Sequence, residues 1–168
     1  MKSIVIYYSR SGYNYVNGEI KNLQIGNVET IANKIAEITN SDTFKIEQIE
    51  EYSNDYSECI DEAKKDQREN ARPKLKNMPK DLQEYDVVYI GYPIWWGIAA
   101  WPVDTFVKAN DFNGKTVIPF CTSSSSSGLG QSGELLAEEA NGGDWLEGHR
   151  FRSNPSDSDI NNWTDSLK

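Results

Sequence analysis

Ile4-Val5-Ile6-Tyr7-Tyr8-Ser9-Arg10-Ser11-Gly12 is the stretch on which the fold turns. An unbroken apolar run, β-branched and aromatic, stops abruptly at a short hydroxyl-rich segment ending in glycine. Such a run suits a strand covered on both faces, as a central strand of a parallel sheet is. Val87-Val88-Tyr89-Ile90 and Thr116-Val117-Ile118-Pro119-Phe120 have the same character. Thr43-Phe44-Lys45-Ile46-Glu47 and the segment Trp145 to Phe151 mix polarity instead, which is how half-exposed edge strands read.

Helical patterns separate these segments. Ile31, Ile35 and Ile38 with Ala32 and Ala36 form one apolar stripe, and Tyr56, Cys59, Ile60 and Ala63 a weaker one. Pro102 suits a first helical turn, with Val103, Phe106 and Val107 behind it. Leu135, Leu136 and Ala140 mark a short fourth helix; Ile160, Trp163 and Leu167 mark a fifth, capped at Ser156 or Ser158. Five strands alternating with five helices predict an α/β fold, a doubly wound parallel sheet with helices on both faces. With the mixed-polarity strands at the edges, right-handed crossovers give the order 2-1-3-4-5. Ligands of such sheets bind beyond the carboxyl ends of the strands, near the switch between strands 1 and 3.

Two segments depart from simple alternation. Residues 13–26 separate strand 1 from its helix and contain Tyr15-Val16-Asn17-Gly18-Glu19-Ile20, where Asn-Gly signals a tight β-hairpin. Residues 50–81 are long and charged, with a helix in their first half and a loop through Pro73 and Pro79.

The chain has 168 residues, 38% apolar and 26% charged, and we expect one domain over 1–168. Its 17 Lys and Arg against 26 Asp and Glu leave a net charge of −9, which repels phosphate backbones and anionic lipid. Nucleic acid and membrane surfaces are therefore excluded as expected partners. Cys59 and Cys121 are too few for a disulfide framework or a zinc site. The apolar run after Met1 is too short for a signal peptide, so the expected location is cytoplasmic.

Each of the three rim loops carries its own chemistry. Ser9-Arg10-Ser11-Gly12, leading to a helix that opens near Asn27-Val28, combines hydroxyls, free backbone N–H groups and a helix N-terminus into an anion site. Arg10 is the one cation of that loop. Gly91-Tyr92-Pro93-Ile94-Trp95-Trp96-Gly97, read as the loop after strand 3, offers aromatic rings for stacking on a flat ligand and a glycine for close backbone approach. Cys121-Thr122-Ser123-Ser124 through Ser127-Gly128 offers hydroxyls and N–H groups to the carbonyls and ring nitrogens of a heterocycle.

Taken together, these loops resemble those of the flavodoxin family. Ser9-Arg10-Ser11-Gly12 joined to Asn27-Val28-Glu29-Thr30 is similar to the family's phosphate signature, with residues 13–26 inserted. Gly91 to Gly97 and Thr122 to Gly128 are similar to its two flavin loops, and the likeness runs over nearly the whole chain. The resemblance implies noncovalent FMN. Its phosphate would lie at Ser9, Arg10, Ser11, Gly12, Asn27 and Val28, and its ring between Pro93, Ile94, Trp95, Trp96, Gly97 and Thr122, Ser123, Ser124, Gly128. Val28 stands where the family usually carries a threonine, so that contact would be missing or would come from Thr30, Asn27 or Asn14. The last strand reads as uninterrupted, like the short-chain branch. The implied function is electron transfer with redox partner proteins of basic surface. An FMN-dependent oxidoreductase of NAD(P)H and a quinone-like acceptor is the alternative.

Other readings fail on spacing. Gly114-Lys115-Thr116 looks like the end of a phosphate-binding P-loop, but Ala109 occupies the first glycine position and a strand follows, so we read a turn. A receiver domain needs acidic residues where this chain has Tyr8-Ser9 and Tyr92-Pro93. His149, the single histidine, lies in the expected edge strand and reads as structural rather than as a catalytic base or metal ligand. No glycine fingerprint of a dinucleotide fold follows any strand.

Overall fold

The computed structural model describes residues 2–9, 12–16, 19–23, 27–48, 56–69, 75–76, 82–95, 98–99, 101–122, 136, 138, 140, 142–146, 148–151 and 156–167. At its centre β1 (Ser3–Tyr7) pairs in parallel with β4 (Asp42–Lys45) on one side and β5 (Val87–Trp95) on the other. β5 pairs in parallel with β7 (Thr116–Thr122), and β7 with the two short pieces β8 (Asp144–Trp145) and β9 (His149–Phe151). Counting β8 and β9 as one edge strand, the order is 2-1-3-4-5, as the polarity pattern predicts.

The alternation of side chains along each strand divides the core. Ile4, Ile6, Val88, Ile90 and Val117 face α3 (Trp101–Ala109) through Val103, Phe106 and Val107. Val5, Tyr7, Tyr89, Ile118 and Phe120 face the other way, onto Ile31, Ala32 and Ile35 of α1 (Asn27–Thr39) and Ile160 and Trp163 of α4 (Asp157–Ser166). Both helices bury most of the stripe read from the sequence; Ile38, at the far end of α1, is exposed, and Leu167 is half-buried. α4 starts at Ser156 with a capping box: its hydroxyl accepts from Asp159 N at 3.2 Å, and Asp159 Oδ2 accepts from Ser156 N at 3.3 Å.

The inserted segment forms the expected hairpin. β2 (Gly12–Val16) and β3 (Glu19–Leu23) pair antiparallel as a separate two-stranded sheet, with Val16 opposite Glu19. Asn17 and Gly18, where the tight turn is expected, lie outside the described residues. α2 (Tyr56–Glu69) lies against β2 and buries Cys59 and Ala63. Beyond α2, an antiparallel bridge between Gln48 and Leu75 ties the 50–81 excursion back to the end of β4. Pro73 and Pro79 lie outside the described residues, as does most of the expected fourth helix; Leu136, buried, and Glu138 have helical backbone.

Two expectations are corrected. The Gly91–Gly97 segment is not a loop from its start: β5 continues to Trp95 and turns back antiparallel as β6 (Ile98–Ala99). Gly91 O accepts from Tyr8 N, so Pro93, two residues on, turns its donorless nitrogen to the same side, toward the end of β1. The proline gives β1 no further ladder bond there, and β5 runs on through its pairing with β7, Pro93 opposite Thr122. The last strand, expected to be continuous, is broken between Trp145 and His149, where its register against β7 slips by one residue. Val117 O accepts from Leu146 N, so Pro119 turns its donorless nitrogen to that same edge. Gly148 passes close to it; a Cβ there would stand 2.1 Å from Pro119 O.

The Gly114 turn is confirmed by its φ of +79°. Buried Lys115 donates from Nζ to Tyr85 O at 2.7 Å rather than serving an anion. His149 lies in β9 with its ring stacked on Trp163, as a structural histidine would.

Candidate functional site

The carboxyl ends of β1, β5 and β7 stand side by side at the switch point. Tyr7 pairs with Gly91, Gly91 with Phe120, and Pro93 with Thr122. Ile94 and Trp95 extend past Thr122, the last residue of β7, so β5 and its return strand overhang the rim. Gly91 is fixed by packing: a Cβ there would meet Phe120 Cζ at 2.2 Å.

One residue past Tyr8, the chain places Ser9 at the head of α1. Ser9 is 9% exposed, and its hydroxyl accepts the backbone N–H of Glu29 at 3.1 Å, although twenty positions of sequence separate them. The hairpin leaves and returns between these two anchors, so the insertion grows out of the loop without separating Ser9 from the helix. An α-helix leaves its first N–H groups unpaired and carries partial positive charge at that end. The donor set, hydroxyl plus helix N–H groups without a metal-binding cluster among the described residues, suits a phosphate.

The site residues named from sequence fall into three groups. Ser9 and Asn27, the first residue of α1, are brought together at the anion end. Gly12 opens β2 opposite Leu23, and so belongs to the hairpin rather than to the turn. Val28 is 2% exposed and packs in the α1 core, so that position offers a ligand backbone rather than side chain. Pro93, Ile94 and Trp95 lie on β5, and buried Thr122 ends β7 beside Pro93. Arg10, Ser11, Trp96, Gly97, Ser123, Ser124 and Gly128 lie outside the described residues.

Sequence reasoning missed the polar groups that brace the rim. Tyr8 donates its hydroxyl to Gln48 Oε1 at 2.8 Å, both residues being buried. Lys45 Nζ, at the end of β4, lies 3.0 Å from Glu29 Oε1. An acidic residue in a first helical turn was the available signal for the second pair; nothing in the sequence marked the first. Burial, with Glu29 and Glu47 adding negative charge, pushes the Tyr7 phenol up to about 12. Burial likewise pushes the Cys121 thiol up to about 12, against the opposing pull of Arg150, so it stands as an inert core thiol.

A family model described as Flavodoxin matches residues 2–167. The chain belongs to the flavodoxin family. Among solved structures, this flavodoxin-family chain is similar to a protein assigned as a flavoprotein from Bacteroides uniformis ATCC 8492. The two are 28% identical with a TM-score of 0.79, over 98% of this chain and 97% of that one. It is also similar to a flavoprotein in complex with FMN from Lactobacillus acidophilus NCFM, at 25% identity and a TM-score of 0.67 over 97% and 98%. Flavodoxin 1 from Bacillus cereus, 17% identical with a TM-score of 0.57 over 99% of this chain and 94% of that one, shares the fold. No curated protein matched the chain. Among the described residues, no helix is long and apolar enough to cross a membrane.

Proposed function

We propose that this chain binds FMN and carries electrons between protein partners. The carrying observation is the α1 N-terminus, held by Ser9 at the end of β1 and beside the ends of β5 and β7. Membership of the flavodoxin family and the similarity to the Lactobacillus acidophilus flavoprotein, which is in complex with FMN, support the same reading.

When bound, FMN supplies the one- and two-electron chemistry; the chain's residues bind and orient it. Ser9, Asn27 and the first-turn N–H groups of α1 would hold the phosphate. The Pro93–Trp95 overhang and Thr122 would flank the ring. The net charge of −9 favours partners with basic surfaces, met in weak, salt-sensitive encounters. Under the same negative field, an anionic reduced flavin is disfavoured, and we expect a lowered potential for the second electron.

Two measurements test the reading. The protein should purify yellow or quench the fluorescence of added FMN; colourless protein that leaves FMN fluorescence unchanged overturns it. Rapid mixing of the holoprotein with NADPH should leave the flavin oxidised until a partner reductase is added. Prompt bleaching by NADPH alone would make the chain an FMN-dependent oxidoreductase instead.

A further inference from the structure

Glu29 sits in the first turn of α1, where the helix's positive end stabilises a carboxylate. The same end is read above as the phosphate site, so a carboxylate turned toward it would compete with the ligand for one set of N–H donors. The fold turns Glu29 elsewhere. Its Oε1 lies 3.0 Å from Nζ of Lys45, with 20% of the Glu29 side chain and 40% of the Lys45 side chain exposed. Lys45 is itself placed by the ladder, in register with Tyr7 at the end of β1. The charge pair therefore joins the end of an edge strand to the head of the helix, next to the strand that delivers Ser9.

We infer that Lys45 is a positioning residue for the anion site: it holds the Glu29 carboxylate off the α1 N-terminus, so that an arriving phosphate meets a neutral pair instead of a like charge. This inference rests on the FMN reading of that site. It concerns the phosphate alone, since the pair joins α1 to β4 and not the β5 and β7 ends read as flanking the ring.

The test compares FMN with riboflavin, the same ring system without the phosphate, by titrating each and following flavin fluorescence. Lys45→Gln should weaken FMN binding about tenfold, the effect of one uncompensated charge close to the phosphate at a protein surface. Riboflavin binding should stay where it was. Glu29→Gln in the Lys45→Gln background should restore FMN binding, and Lys45→Arg, which keeps the cation, should retain it. Unchanged FMN affinity in Lys45→Gln, an equal loss for riboflavin, or a double variant no better than Lys45→Gln overturns the inference. A loss in Lys45→Arg as large as in Lys45→Gln does the same. A wild-type protein that binds riboflavin as tightly as FMN overturns the phosphate-site reading itself, and so separates the two failures.

Discussion

The Ser9 hydroxyl accepts the backbone N–H of Glu29 at 3.1 Å, which makes the residue at the end of one strand the cap of a helix twenty positions later. This bond lets a hairpin be inserted into a ligand loop without dismantling it. Ser9→Ala should cost about 1 kcal/mol of stability, the usual price of a lost helix cap. Urea unfolding followed by circular dichroism measures that loss. FMN affinity should fall in the same variant, because the freed N–H end of α1 loses its placement against β1.

Gly91 and Phe120 pack too closely for any side chain at position 91. A methyl group at position 91 would stand 2.2 Å from Phe120 Cζ and 2.4 Å from Cε2, and that ring is wedged against Phe151 and Trp163. Gly91→Ala should destabilise the protein by about 1–3 kcal/mol, the range for overpacked cores. In a double-mutant cycle, Phe120→Leu should relieve part of the strain, so the pair costs less than the sum of the single changes. Additive losses in thermal unfolding would count against the packing account.

His149 couples stability to pH. Its ring stacks on Trp163 at 5.6 Å and meets Phe151 edge-on at 4.7 Å. Burial lowers its pKa below the ordinary 6.5, with Arg150 pulling the same way and Asp159 opposing. A lowered folded-state value means that the unfolded chain binds the proton more readily. The contribution is therefore complete above pH 6.5 and is lost as pH falls through the folded-state value. Stability measured from pH 8 down to pH 5 should decline more steeply in the wild type than in His149→Phe. Parallel curves would refute the coupling.

Both cysteines are buried, and the Cys121 thiol is raised to about 12. Neither should react with a thiol reagent in the native protein at pH 8, and two thiols should appear on denaturation. Cys121→Ala should leave the flavin's redox behaviour unchanged; a shifted potential would give that thiol a part in the electron chemistry.

The sequence by itself determined the sheet order, the covered and half-exposed strands, the hairpin and which strand ends lie side by side at the switch point. Each follows from local signals: apolar runs of strand length, helical stripes, an Asn-Gly turn and crossovers of fixed hand. The flavodoxin resemblance was legible for the same reason, since it rests on short loops in a fixed order. Only the tertiary structure decided how far β5 runs and where the last strand breaks. The direction in which Pro93 and Pro119 face depends on which neighbour lies on each side. The Ser9–Glu29, Tyr8–Gln48 and Lys45–Glu29 contacts also waited for the fold. Each joins groups from separate elements, and no local pattern records which strand end will meet which helix.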